Sequence, residues 1–231
     1  MERIQAQNGR FYKTPEDMWV PSVTTILNVY PKGERFFKWL GDSDSKETAD
    51  AKRDAAGDRG TIVHDSIAAL IKGQTVELPE GTDPKCSKLI MGFLNWWHDT
   101  NPIVIASEIF LVGDGYAGTC DLLANIGGDN WVIDYKTSAA VYTSHHLQTS
   151  AYRRAAERQG VVERIDRRGV LWLKTNTKKG YQLVESDRPA EEDYWAFMAC
   201  KEIFHRERGY EPVPFKEKEI KTVFSLEEGV V

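Results

Sequence analysis

Cysteine is scarce in this chain. Cys86, Cys120 and Cys200 are odd in number and lie far apart. They suit neither a disulfide framework nor a CxxC metal site, so a reducing cytoplasm is the expected setting. Long apolar runs are missing too. No stretch approaches the roughly 18 residues of a membrane span, and mean hydropathy is -0.47. The opening residues MERIQAQNGR lack the apolar core of a secretory signal. No Gly-rich phosphate loop ends in Lys-Ser or Lys-Thr, which argues against an ATP-driven motor. Internal repeats, low-complexity tracts and clear linkers are likewise missing. Positive charge is not in excess, for the net charge is -5. Taken alone, that weighs against a polyanionic partner, because phosphate binding draws on Lys and Arg.

What is present is a globular composition. Hydrophobic residues make up 41% of 231 residues, enough for a core, and seven Trp add bulk. Basic residues cluster locally. Between Tyr152 and Gly180 there are nine (Arg153, Arg154, Arg158, Arg164, Arg167, Arg168, Lys174, Lys178, Lys179), opposed by Glu157, Glu163 and Asp166. Such a flank reads either as a nucleic-acid face or as a solvated helix face.

Periodicity orders the rest. Residues 1–31 read as irregular, broken by Pro15, Pro21 and Pro31. A short helix is expected from Pro31 to Gly41. A long one is expected over 44–72, with Val63, Ile67, Leu70 and Ile71 at core spacing and Gly73 as its stop. Another is expected over 83–98. Ile103–Val112 reads as a strand, and Tyr116–Lys136 as a hairpin around Gly127-Gly128-Asp129-Asn130. A helix over 144–159, strands over 168–175 and 181–185, and a helix over 189–208 follow. The order predicts an α/β or α+β fold. The expected layout is a helical N-terminal lobe over 1–100, a core over 101–208 and a tail over 209–231.

The hairpin carries most of the chemistry. A four-residue turn at 127–130 sets Leu123 opposite Asp134 and Asp121 opposite Lys136. Residues two apart share a face, as do opposed residues. Asp121, Asp134 and Lys136 then project from one side, while Leu122, Ala124, Ile126, Trp131, Ile133 and Tyr135 fill the other. A slip of one residue would break that segregation. Two carboxylates on one face, as diagonal neighbours about 7–8 Å apart at Cα, suit a hard divalent cation. A nearby Lys can orient water or stabilise developing charge. On spacing alone, a surface hairpin with a salt bridge fits equally well.

The surrounding residues favour the first reading. Gly-Thr-Cys-Asp at 118–121 precedes Asp-Tyr-Lys-Thr at 134–137. Upstream stands Arg59-Gly60-Thr-Ile-Val-His64; downstream stand Gln148 and Tyr152; Pro21-Ser-Val-Thr-Thr-Ile-Leu27 opens the series. In this order the chain resembles the PD-(D/E)XK nuclease superfamily, specifically its RecB-like exonuclease branch, which includes phage-type and mitochondrial genome-maintenance exonucleases. The likeness spans roughly residues 20–160.

The resemblance implies a restriction-endonuclease-like core, a central mixed sheet flanked by helices. It implies Mg²⁺ or Mn²⁺ held by Asp121 and Asp134, with the Tyr135 carbonyl as a further ligand. Lys136 would position the attacking water, and His64 would serve as ligand or phosphate contact. Gln148 and Tyr152, four apart on one helix face, would support the centre. Glu108 is a weaker candidate for an added acidic ligand. The implied activity is a DNA exonuclease acting on single-stranded DNA or free ends, in recombination, repair or phage DNA metabolism, within the cytoplasm (the host's, if phage-encoded). A structure- or site-specific endonuclease, a non-catalytic DNA-binding protein and a small phosphate-ester hydrolase remain alternatives. Three scattered cysteines cannot supply the four ligands of the iron–sulfur cluster that some relatives carry. No cluster is therefore expected. Each residue also has a plainer role open to it. His64 borders the Val63/Ile67 stripe as a core histidine would, Tyr152 can pack beside Ala151 and Ala155, and Glu108 can sit exposed on its strand.

Overall fold

Two sheets organise the chain in a computed structural model that describes residues 2–33, 41 and 45–215. The smaller is an antiparallel sheet of β1 (Arg3–Ala6), β2 (Gly9–Lys13) and β3 (Trp19–Pro21). The larger runs in the order β4 (Ile103–Val112), β5 (Ala117–Ile126), β6 (Asp129–Lys136), β7 (Arg167–Leu173) and β8 (Tyr181–Glu185). Its pairings are antiparallel except for β6 with β7, which are parallel. A parallel pair needs a crossover, and helix α4 (Thr143–Arg158) supplies it. Before the sheet come α1 (Val23–Ile26), α2 (Lys46–Ile71) and α3 (Lys85–Thr100); α5 (Ala190–Arg208) follows it. The fold is thus mixed α/β, a five-stranded mixed sheet flanked by helices.

Each face of the large sheet buries its own core. Leu122, Ala124, Trp131, Ile133 and Tyr135 pack against Val63 and Ile67 of α2 and Leu89, Phe93 and Trp96 of α3. Leu123 and Val132 face the other way, towards Leu147 and Ala151 of α4 and Phe197 and Phe204 of α5. Helix ends follow local rules. Ser45 caps α2 by accepting from the Thr48 amide at 3.1 Å. Asn101 ends α3 in the left-handed conformation, and Gly73 lies just past α2 at φ +74°.

The N-terminal region differs from the sequence expectation. Residues 1–31 read as irregular, yet they hold three short strands and α1. These strands are only 4, 5 and 3 residues long, too short for alternation to register. The small sheet is anchored from outside itself. Ser22 bridges Ala117 of β5, and the Phe11 ring lies 6.3 Å from that of Phe204. The region before β4 is therefore not purely helical. The chain beyond α5 folds back on it, with the Gln7 amide donating to the Val213 carbonyl at 2.9 Å. The helix expected at 31–41 and the tail beyond 215 lie outside the described residues, apart from a few positions at their edges.

Candidate active site

The β5–β6 turn is tighter than the sequence reading has it. Ile126 pairs with Asp129 and Ala124 with Trp131, leaving only Gly127 and Gly128 as the loop. Both have positive φ, +63° and +99°, which two-residue hairpins require and glycine permits. The register therefore differs by two positions from that of a four-residue turn. An even shift keeps every side chain on its face, so the apolar side stands as expected. The acidic side does not.

The ladder between β5 and β6 ends at Leu122–Ile133. Beyond it the Tyr135 amide donates to Asp121 Oδ2 at 2.7 Å, so the carboxylate sits between the strands. Alternation breaks on both sides of that point. Cys120 and Leu123 pack into one cluster although an odd number of residues separates two same-face positions on a regular strand. Neighbouring β4 shows the same break, with Ala106 and Ile109 packed against that same cluster and Glu108 between them at φ +49°. A left-handed glutamate is uncommon, and such strain gathers at functional sites. The sequence expectation that Asp121 shares a face with Asp134 and Lys136 is corrected here: Asp121 leaves that face and turns towards α2.

There it meets His64 and Glu108. Ligating atoms of His64, Glu108 and Asp121 all lie within 4.8 Å of one another. His64 Nδ1 is 3.5 Å from Asp121 Oδ1, and its Nε2 is 3.1 Å from the Tyr135 carbonyl. Glu108, the weaker candidate in the sequence, is thus central to the cluster. Asp134 and Lys136 pair with one another, Lys136 Nζ 2.5 Å from Asp134 Oδ2, within electrostatic reach of Asp121. Asp134 is 1% exposed, and its Oδ1 has no hydrogen-bond partner. A buried carboxylate oxygen without a partner is costly unless something positive joins it.

The charges answer one another. Burial alone would lower the His64 pKa, but Asp121 overrides it and raises the imidazole to about 9. Burial would raise Asp121, yet His64 and Lys136 hold it below the ordinary carboxylate value. Burial pushes Asp134 up to about 6 against the pull of Lys136. Glu108 keeps an exposed edge, but its partial burial and then the Asp121 charge raise it to about 7. The Asp121 charge therefore favours a protonated imidazole at His64, beside Glu108 and the Tyr135 carbonyl.

Gln148 and Tyr152 stand over the other side of the sheet on α4. Gln148 Nε2 donates to Tyr152 Oη at 3.4 Å, and both are buried. Tyr152 also explains the glycine of Gly-Thr-Cys-Asp. A Cβ on Gly118 would lie 2.9 Å from Tyr152 Oη, so the ring closes over a position that admits no side chain. Two separated stretches of the sequence pattern are thus one contact.

Trp172 is absent from the sequence reading. It pairs with Lys136 across the parallel β6–β7 ladder, and its indole N–H donates to the Ser138 carbonyl at 2.8 Å. That bond ties down the chain leaving Lys136. No local signal could reveal it, because parallel partners are far apart in sequence. The basic flank also changes meaning. Arg168 is buried, 2.5 Å from Asp193, and clamps β7 to α5. Arg153 meets Glu157 and Glu191, Arg164 meets Asp166, Arg167 meets Glu185, and Lys179 meets Asp99. Most of this charge is already neutralised within the chain.

No family model matches the chain, and no curated protein matches it.

Proposed function

We propose that the chain is a metal-dependent nuclease that hydrolyses phosphodiester bonds at DNA ends. The observation that carries this reading is the convergence of His64, Glu108 and Asp121 beside the Asp134–Lys136 pair. The donor set fits a divalent cation: two carboxylates and an imidazole. Carboxylate oxygens suit Mg²⁺ and Mn²⁺, and an added imidazole is better matched to Mn²⁺. When bound, the ion supplies Lewis-acid charge against phosphate oxygens. The Tyr135 carbonyl has a second role in this reading, orienting His64 through Nε2 as ligating histidines commonly require. Asp134 fixes the Lys136 ammonium, and Lys136 orients a water towards phosphorus. The water's oxygen forms the new P–O bond as the bond to the 3′ oxygen breaks; the water gives up a proton to solvent and the 3′ oxygen takes one, leaving a 3′-hydroxyl and a 5′-phosphate.

The test uses purified protein with end-labelled linear single strands, duplexes and closed circles, in Mg²⁺, Mn²⁺ or EDTA. The expected result is metal-dependent loss of linear DNA with circles intact. Cut circles would make the enzyme an endonuclease. Metal-dependent thermal stabilisation without cleavage of any substrate would replace the enzyme with a DNA-binding protein. Activity on nucleotides but not on polymers would point to a small phosphate-ester hydrolase.

A further inference from the structure

A groove of about 790 Å³ opens between the Tyr30–Gly33 segment and the turn from Ala139 into α4. Its size is that of a small-ligand site. It follows directly from the proposed centre along the chain, for Ala139 and Ala140 on its wall come three and four residues after Lys136. Among the described residues no carboxylate lines it, although the chain as a whole is acidic. Two phenol rings line it, Tyr30 and Tyr142, together with Lys32 and His145. Tyr142 is 45% exposed and stands edge-on to the His145 ring, with centroids 5.3 Å apart. Such a ring has an aromatic neighbour and is still partly open to solvent.

His145 presents a defined donor. The Tyr142 amide donates to His145 Nδ1 at 3.3 Å. A ring nitrogen that accepts carries no proton, so the neutral imidazole keeps its proton on Nε2. Burial, and then the Lys136 charge, push the ring down to about 3, which keeps it neutral. Thr143 and Ser144, the first residues of α4, also line the groove. The free amides of a helix start favour an anion. Apolar ring, neutral N–H donor, ammonium and helix start together match a base with its phosphate.

We propose that this groove holds one unpaired nucleotide of the strand being cut, its base on the Tyr142 ring and its phosphate against His145 Nε2–H, Lys32 and the start of α4. The inference rests on the nuclease reading and narrows its substrate to unpaired strands. A base inside a duplex is already stacked and cannot reach a side-chain ring without leaving the helix.

The test places 2-aminopurine at successive positions of a single-stranded oligonucleotide and reads its fluorescence on the full chain in EDTA, which prevents cleavage. Quenching confined to one position is expected. Tyr142→Ala removes it and weakens binding about tenfold, in keeping with aromatic stacking, while Tyr142→Phe retains both. His145→Ala weakens binding and His145→Gln, which keeps an N–H donor, restores it. Quenching unchanged in Tyr142→Ala, or equal affinity for duplex and single strand, overturns the proposal. Melting curves confirm that each variant is folded. Cleavage of the same oligonucleotides in Mg²⁺ is scored separately. Tyr142-dependent quenching without cleavage would remove the nuclease reading and leave the groove standing. Cleavage with Tyr142-independent quenching, or with no binding in EDTA, would do the reverse, and neither binding nor cleavage would remove both.

Discussion

His64 is held between two obligations: its charge answers Asp121, and its ring must shed a proton before it can ligate a metal. The metal-free protein should show this as a pH dependence. Its imidazole is raised from 6.5 to about 9. The folded chain therefore holds this proton more tightly than the unfolded chain does. The resulting stability is complete below pH 6.5 and is lost as pH rises through about 9. Urea denaturation in EDTA across that window should give a falling unfolding free energy, with a shallower fall in His64→Gln. Parallel curves for the two proteins would refute the charge assignment. Lys136 and Asp134 make a different prediction, about rate. Lys136→Ala and Asp134→Asn should each lower the cleavage rate by about 10²-fold or more while leaving the melting profile folded. Wild-type-like digestion by both would dispose of the proposed centre. Of these residues the sequence disclosed identity and order, since Asp-x-Lys, the upstream His and the downstream Gln and Tyr are all contiguous motifs. The place of Glu108 in the cluster is not legible in the same way, because it comes from a left-handed backbone and a neighbour on another strand.

Among the elements, α4 and β5 are joined at one tight contact. Gly118→Ala would drive a methyl group to within 2.9 Å of Tyr152 Oη. It should destabilise the protein by about 1–3 kcal/mol, as overpacking does. A double-mutant cycle with Tyr152→Ala should recover part of that loss, because the two sites share the clash; strict additivity would show that the methyl group meets something else. The β5–β6 hairpin illustrates how an error can be harmless. Reading the turn as four residues rather than two displaced the register by an even number, and evenness preserved the faces. Predicting the helices was simpler: α2, α3, α4 and α5 each carry apolar residues at helical spacing and lie within two residues of their expected bounds. The short N-terminal strands offered no comparable pattern. Their hydrogen-bond partners, not their own sequences, make them strands.

For the whole molecule, charge is the property most altered by folding. In the linear sequence the stretch from Arg153 to Lys179 looks like a phosphate-binding face, but in three dimensions its arginines serve carboxylates and one buried clamp. Single-stranded DNA binding should therefore depend only weakly on salt, with a log–log slope equivalent to about two or three phosphate contacts. A fluorescence-anisotropy titration at several salt concentrations measures it, and a slope equivalent to about ten contacts would mean that these ion pairs open to receive the strand. The sequence by itself determined the fold class, the long helices, the apolar face of the hairpin and the residue types of the centre, because period and motif are local properties of a chain. Tertiary structure alone decided which acids meet. Asp121 joins His64 and Glu108, while Asp134 stays with Lys136, because strand geometry fails at two adjacent points and a helix from far upstream packs against the gap. Contacts between distant segments depend on packing, which no local pattern encodes.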